Sequence, residues 1–228
     1  MTRKGILVIV LMAIVITGGY AAPPDFKISI GAGGYVAIDL GATGTLGELD
    51  DVRRIMSNNY TGGGGFLFLD GTFFELSLGL FNGDGSLRDY YENNSESNSN
   101  YVSISLIGFD IGLIAKYPFE IGSKFSLYPL LGINYRIIPA MSDEDGKMID
   151  NVLDYSALWF RLGLGMDIFF LPASVTEKIF LRLGFIGGLR LPNKIEKDTA
   201  IYYESLGMKA TAYPGFGFDI KFAIGFRF

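Results

Sequence analysis

The chain has 228 residues, 49% of them hydrophobic and 14% aromatic, and its 19 basic and 24 acidic side chains give a formal charge of −5. It contains no cysteine and no histidine, which excludes disulfides, thiolate nucleophiles, Cys-ligated zinc and the Ser-His-Asp triad. The acidic balance argues against nucleic acid as a partner, because nucleic-acid-binding proteins carry basic patches. We therefore expect a protein that is not an enzyme, holds no cofactor and binds no metal.

The N-terminus has the order of a secretory signal. Two basic residues precede an apolar run over 5–16, and Gly19 and Ala21 supply the small-x-small pattern of a cleavage site. The run is too short to cross a bilayer, which needs about 20 apolar residues. The sequence predicts a signal peptide over 1–21.

The rest of the chain alternates apolar residues with small or charged ones at a period of two, which is typical of half-buried strands. From Phe216 to Phe228 every even position is apolar, whereas the odd positions carry Gly, Ala or a charge. The alternation predicts eight strands, in chain order 26–40, 60–69, 72–82, 101–117, 125–138, 155–171, 177–191 and 214–228. No later apolar run is long enough for a membrane helix, so we predict an all-β fold, an eight-stranded antiparallel up-and-down transmembrane β-barrel.

The predicted connections alternate between short and long, as in outer-membrane barrels, whose long loops are extracellular. Short ones fall at Asp70-Gly71, a two-residue hairpin signal, and near 118–124 and 172–176. Long ones cover about 42–59, 83–100, 140–154 and 192–212 of the barrel domain, 22–228. The predicted location is the cell outer membrane of a diderm bacterium, with outer-membrane lipid around the strands.

The face opposite the apolar one distinguishes this barrel from a soluble one. A soluble barrel would turn its apolar face inward and cover its exterior with polar residues. Here the opposite face is mostly glycine with sparse charges, which suits a narrow lumen.

Charges on the glycine-rich face are expected to pair inside the lumen, because buried charges require partners. The hairpin between the sixth and seventh strands brings Asp167 close to Arg182. The predicted ion network comprises Asp39, Glu75, Asp110, Lys116, Arg136, Arg161, Asp167, Arg182, Asp219 and Lys221. With Lys27, Arg190 and Arg227 also predicted to face inward, the lumen would be slightly basic. Two interpretations stay open: a structural plug, or a polar constriction that selects what passes.

The second and third strands predict a different wall. With Glu75 inward, the alternation places four phenylalanines in the lumen: Phe66, Phe68, Phe73 and Phe81. Four consecutive glycines lie beside them, and they are predicted to leave a lateral gap in the wall: Gly62, Gly63, Gly64 and Gly65. A register shift around 58–69 would change which phenylalanines face inward.

Over about 22–228 this architecture, with the ending Phe226-Arg227-Phe228, resembles small eight-stranded bacterial outer-membrane proteins of the OmpA, OmpX and OmpW kind. The resemblance implies that Phe226 and Phe228 form the signal read by the barrel-assembly machinery and that periplasmic chaperones escort the chain. Similarity to OmpW implies a narrow channel that passes small hydrophobic or amphipathic molecules through a gap beside an aromatic wall. Similarity to OmpX and OmpA implies a closed structural barrel whose acidic loops bind host or envelope partners.

Overall fold

A computed structural model describes residues 26–39, 44–49, 52–93, 96–122, 124–170 and 179–228, so the predicted signal peptide over 1–21 lies outside the described residues. The strands are β1 (Ser29–Asp39), β2 (Gly44–Leu49), β3 (Val52–Asp70), β4 (Phe74–Asn93), β5 (Glu96–Lys116), β6 (Phe119–Ile121), β7 (Phe125–Asp143), β8 (Ala157–Phe169), β9 (Ile179–Arg190), β10 (Lys209–Tyr213) and β11 (Gly215–Arg227). A 3₁₀ turn covers Val152–Tyr155, and one α-helix, α1, covers Lys194–Ser205.

Eight of these strands close into an antiparallel ring. The ring runs β1, β3, β4, β5, β7, β8, β9 and β11, and β1 pairs with both β3 and β11 to complete it. The short strands β2 and β10 continue outward from β3, and β6 pairs with β7. The predicted all-β arrangement of eight antiparallel ring strands is confirmed.

The outside of the ring is apolar. On β11 the outward side chains from Phe216 to Phe226 are between 37% and 64% exposed. This stretch spans about 33 Å along the strand, and at the strand tilt of about 40° it covers about 25 Å of height, the apolar band of outer-membrane barrels. Within the described residues, no helix combines the length and apolar character needed to cross a membrane.

The connections predicted over 42–59 and 83–100 are mostly paired strand in the described residues, which corrects the expectation of loops there. In the connection predicted over 140–154 only 140–143 continue β7, and an irregular segment and the 3₁₀ turn follow. β3 begins at Val52, β4 runs to Asn93 and β7 reaches Asp143, so the ring strands extend beyond the apolar band. We call β3 over 52–59, β4 over 83–93 and β5 over 96–100 the strand extension. The connection predicted over 192–212 contains α1 and β10. Above the band apolar and polar residues follow one another irregularly, as in Ile55-Met56 and Tyr90-Tyr91, so backbone pairing continues there without the period-two pattern that marks a half-buried strand.

The prediction of a two-residue turn at Asp70-Gly71 is wrong. Asp70 still pairs with Glu75, and three residues, Gly71 to Phe73, make the turn, with Thr72 at φ 66°. Asp70 is the last residue of β3 and is 1% exposed, because its carboxylate pairs with cations of the lumen. Its Oδ1 also accepts from the Thr72 N–H of the turn at 3.0 Å. Phe73 consequently lies in the turn against Tyr117, with ring centroids 6.1 Å apart, and is not part of the lumen wall.

The predicted lateral gap at Gly62, Gly63, Gly64 and Gly65 is also wrong. In the described ring these glycines pair with β1 on one side and β4 on the other. A Cβ at Gly62 or Gly64 would collide with a backbone carbonyl of β4, so glycine here lets the two strands approach closely. The register keeps Phe66 and Phe68 inward, so the alternative shift around 58–69 is not adopted.

Candidate functional site

The lumen is the candidate site, and its charged side chains form three layers. The basal layer lies at the end with the short turns and contains Asp70, Glu75, Lys116, Asp167, Arg182 and Arg227. The middle layer contains Asp110, Arg136, Arg161, Asp219 and Lys221. The capping layer lies beneath α1 and contains Asp39, Arg190 and Glu196.

Arg182 is the centre of the basal layer. Its Nε donates to Asp167 Oδ1 at 2.7 Å, its Nη1 to Glu75 Oε2 at 2.5 Å and its Nη2 to Asp70 Oδ2 at 2.5 Å. Lys116 forms a second, buried ion pair with Asp70. The pairing of Asp167 with Arg182 follows from the β8–β9 register, which places the two residues directly opposite one another.

The rest of the basal layer completes the hydrogen bonding around Asp167. The Tyr128 hydroxyl donates to Asp167 Oδ1 at 3.0 Å, and Arg227 Nη2 lies 3.5 Å from Asp167 Oδ2. The Arg182 guanidinium also lies 4.5 Å from the centroid of the Phe68 ring. Charged groups and aromatic rings therefore fill the barrel at this level together.

The middle layer contains two ion pairs. Arg136 donates to Asp110 through Nε at 2.8 Å and Nη2 at 3.0 Å, a bidentate arrangement. Arg161 Nη2 lies 3.1 Å from Asp219 Oδ2. Lys221 Nζ lies over the Phe66 ring, 5.0 Å from its centroid.

The capping layer depends on α1. Arg190 Nη2 donates to Glu196 Oε1 and to Asn58 Oδ1, both at 2.8 Å, whereas Asp39 Oδ2 lies 3.7 Å from Arg190 Nε. Glu196 is 1% exposed and forms a capping box with Asn193 at the start of α1. The helix terminus thereby delivers a carboxylate into the mouth of the barrel.

The predicted aromatic wall is present but covered. Phe66, Phe68 and Phe81 are buried at 5%, 2% and 1% exposure. Tyr35, an inward residue of the neighbouring strand β1, packs against Phe66 and Phe81 with ring centroids 6.2 and 6.3 Å away, and its hydroxyl donates a hydrogen bond to Asp110. The wall is therefore part of the packed lumen and presents no open apolar surface.

Little free space remains inside the barrel. The cavity beside Tyr35 and Lys221 has a volume of about 20 Å³, and the one beneath Tyr155 and Trp159 about 10 Å³. A single water needs about 10–15 Å³ of this measure, so the first cavity suits one or two waters and the second at most one. These small cavities leave the lumen tightly packed at the middle and capping levels.

Two residues missed by sequence reasoning balance the lumen charge. The sequence predicts a turn at Asp70 and a loop around Glu196. In the structure both carboxylates are buried in ion pairs. Lys27, predicted to face inward, is 35% exposed and pairs with Glu120 at 3.4 Å. The three layers then hold seven acids and seven bases, so the lumen is neutral and not slightly basic.

The strand extension packs against α1 outside the ring. Arg54 on β3 donates to Asp89 on β4 at 2.7 Å, and this hydrogen bond raises the pKa of Arg54 above its usual value. The same guanidinium lies 5.5 Å from the Tyr203 ring of α1. Burial against the extension raises the pKa of Tyr203.

The C-terminal residues complete the ring. Phe226 and Phe228 lie on the outer, apolar face, with ring centroids 5.0 Å apart. The Phe228 backbone N–H donates to the carbonyl of Ile28 at 2.8 Å, at the seam where β1 meets β11. Both aromatic rings therefore stay accessible at the edge of the apolar band.

Comparisons with known proteins place the chain in no family. No family model matches it, and no curated protein matches it. Among solved structures, the crystal structure of the β-domain of the Bordetella autotransporter BrkA is similar, at 12% identity with a TM-score of 0.31 over 87% of this chain and 99% of that one. This likeness is too distant to carry an argument, and the barrel architecture rests on the strand pairing described above.

Proposed function

We propose that the protein is an integral outer-membrane β-barrel of a diderm bacterium that acts as a closed anchor for the strand extension above it. The apolar outer face supports the membrane placement, because closed barrels satisfy every backbone polar group without water. The packing of the lumen by ion pairs and aromatic rings supports a closed barrel. In this proposal the extension faces the outside of the cell and makes the functional contacts.

The single observation that carries the proposal is the basal layer. Arg182 is 4% exposed and binds three carboxylates, each from a different strand end. Opening the lumen at this level would leave several buried charges without partners, at a cost of about 3–5 kcal/mol for each broken pair. A structural plug is therefore the better interpretation of the ion network.

The alternative function, a narrow channel for small hydrophobic or amphipathic molecules, has no comparable support. It requires an open aromatic wall and a lateral exit. Tyr35 covers Phe66 and Phe81, and β3 over 61–70, which includes the four glycines, is paired with β1 along one edge and with β4 along the other.

The proposal also covers the partners. Outer-membrane lipid contacts the apolar band, and the barrel-assembly machinery and periplasmic chaperones handle the chain before insertion. The exposed pair Phe226 and Phe228 at the closing seam suits recognition by that machinery, since both rings remain accessible after β11 has formed. We assign the protein no reaction and no cofactor.

Liposome swelling tests the proposal. Refolded protein in phospholipid vesicles is expected to give heat-modifiable gel mobility and no swelling in arabinose, with a general porin as positive control. Soluble behaviour without detergent would contradict the membrane placement. Swelling at the rate of the porin would contradict the closed lumen and favour the channel.

A further inference from the structure

Two rows of polar side chains cross the outside of β3, β4 and β5 above the apolar band. The strand register aligns Thr61, Asp84 and Ser105 in the first row and Asn59, Ser86 and Ser103 in the second. Directly opposed side chains on neighbouring strands have Cβ atoms about 5 Å apart. The sheet therefore presents a compact grid of hydroxyl, amide and carboxylate groups.

These rows line a cleft of about 440 Å³. Tyr101, which is 64% exposed, and the β7 end at Asp143 and Glu144 form its other sides. The volume lies within the range of about 300–1,000 Å³ that is typical of small-molecule sites. Unlike the lumen cavities, it has room for a ligand larger than water.

The charge of the cleft restricts its ligand. Asp84, Asp143 and Glu144 contribute three carboxylates, and none of the residues that line the cleft is Lys or Arg. Asp143 Oδ1 also accepts from the backbone N–H groups of Asp145 and Lys147, at 3.1 and 2.8 Å, so Asp84 and Glu144 are the better candidates to meet a ligand. A phosphate group would meet uncompensated like charge, whereas an ammonium group would be attracted. Ser105 Oγ donates to Asp84 Oδ1 at 2.7 Å, which orients that carboxylate within the first row.

The height of the cleft also matters, and this step rests on the proposed membrane placement. Asp84 lies four residues beyond Leu80, an outward residue of the apolar band that is 57% exposed. On β5, Ser105 of the same row lies two residues beyond the outward Ile107, which is 50% exposed. Two to four residues span about 7–13 Å of strand, which is about 5–10 Å of height at a barrel tilt of about 40°. The cleft then begins just outside the level of the lipid chains, where the polar, sugar-containing surface layer begins.

We propose that this cleft binds a saccharide that carries amino groups and lacks phosphate. Adjacent sugar hydroxyls match the closely spaced hydroxyl and amide groups of the two rows, and a sugar ammonium pairs with Asp84. The exposed ring of Tyr101 offers a flat surface for the C–H face of a sugar ring. A cationic peptide would also meet the carboxylates, and the trilysine probe below separates it from a saccharide.

Isothermal titration of the full chain in detergent micelles tests this proposal. The probes are a glucosamine trisaccharide, glucosamine 6-phosphate and trilysine. We expect the trisaccharide to bind most tightly. Asp84→Asn should weaken it about tenfold through loss of a charge-assisted hydrogen bond, and Tyr101→Ala about fivefold through loss of ring contact.

Asp198→Asn and Tyr202→Ala on the exposed side of α1 are matched controls and should bind like the wild type. Tighter binding of glucosamine 6-phosphate or of trilysine, no binding of the trisaccharide, or equal binding by the Asp84 and Tyr101 variants would each overturn the saccharide site. These outcomes differ from failure of the proposed function, which would appear as vesicle swelling or as solubility without detergent.

Discussion

The basal and capping layers of the lumen use similar residues in different ways. In the basal layer Arg182 binds three carboxylates at 2.5–2.7 Å, and all of them belong to ring strands or their ends. In the capping layer Arg190 takes one carboxylate from helix α1, and Asp39 stays 3.7 Å away. The basal seal is thus built into the ring, whereas the capping seal depends on a segment outside it.

Hydrogen bonding sharpens the contrast. Asp167 accepts hydrogen bonds from Arg182 and Tyr128. Among the described residues, neither carboxylate oxygen of Asp39 has a hydrogen-bond partner, and the Tyr60 hydroxyl nearby has none either. A buried polar group that lacks a partner reduces stability. The free energy that holds the lumen closed should therefore be concentrated in the basal layer.

The largest expected effect is that of Arg182→Met. The change leaves Asp70, Glu75 and Asp167 buried without their shared cation, so we expect the free energy of unfolding to fall by about 3–5 kcal/mol. Urea titration of the protein refolded in lipid bilayers measures it. Arg190→Met is the comparison. It should lower the free energy of unfolding by about half as much, because Arg190 has fewer carboxylates close to it. Equal losses of stability in the two variants would show that the basal and capping layers contribute equally.

Replacing one acid in each of these two layers by its neutral amide tests the same difference in stability. Asp167→Asn should cost about 2–4 kcal/mol, because Arg182 and Tyr128 lose a charged acceptor in a buried site. Asp39→Asn should cost less than about 1 kcal/mol, because that carboxylate accepts no hydrogen bond in the described structure. The same urea titration applies, and a larger loss at Asp39 than at Asp167 would contradict the account.

The barrel wall offers a third test, with adjacent glycines as a matched pair. A Cβ at Gly64 would collide with the backbone carbonyl of Leu80, whereas at Gly65 the nearest atom is the Gly33 carbonyl oxygen at 3.6 Å. Gly64→Ala should lower the free energy of unfolding by about 1–3 kcal/mol through overpacking. Gly65→Ala should change it by no more than about 0.5 kcal/mol. If neither variant changed the free energy of unfolding, the close approach of β3 and β4 would not help to hold the barrel closed. The charged layers alone would then account for its closure.

The smallest effect is expected outside the ring. Arg54 and Asp89 form an ion pair with side chains 38% and 35% exposed. Partly exposed pairs contribute about 0–1 kcal/mol, so Arg54→Ala should lower the free energy of unfolding by less than about 1 kcal/mol. Added salt should weaken this contribution more than that of Arg182. A loss as large as that of Arg182→Met would show that the extension, and not the basal layer, holds the fold together.

Much of the ring could be predicted from period two alone. Alternation correctly directed Phe66, Phe68 and Phe81 inward, and the β8–β9 hairpin placed Asp167 beside Arg182. The signal was reliable where one face met an apolar surrounding and the other a packed lumen, because only then do neighbouring residues differ in character.

The failures have a common cause. The strand extensions mix apolar and polar residues without a regular period, so no alternation marks β3 before 60 or β4 after 82. Asp70 has the residue type of a turn, and only its distant partners Lys116 and Arg182 reveal that it is buried. Glu196 reaches Arg190 through the fold of α1, a long-range contact that local sequence does not encode.

Planar-bilayer recording tests the central claim, that the lumen is sealed by its own charged layers. Refolded wild-type protein inserted into a bilayer in concentrated KCl is expected to give no conductance above baseline, and Arg54→Ala, which leaves the lumen intact, should be equally silent. Stable, voltage-independent channels in the wild type would contradict the account and restore the channel as the function of the barrel.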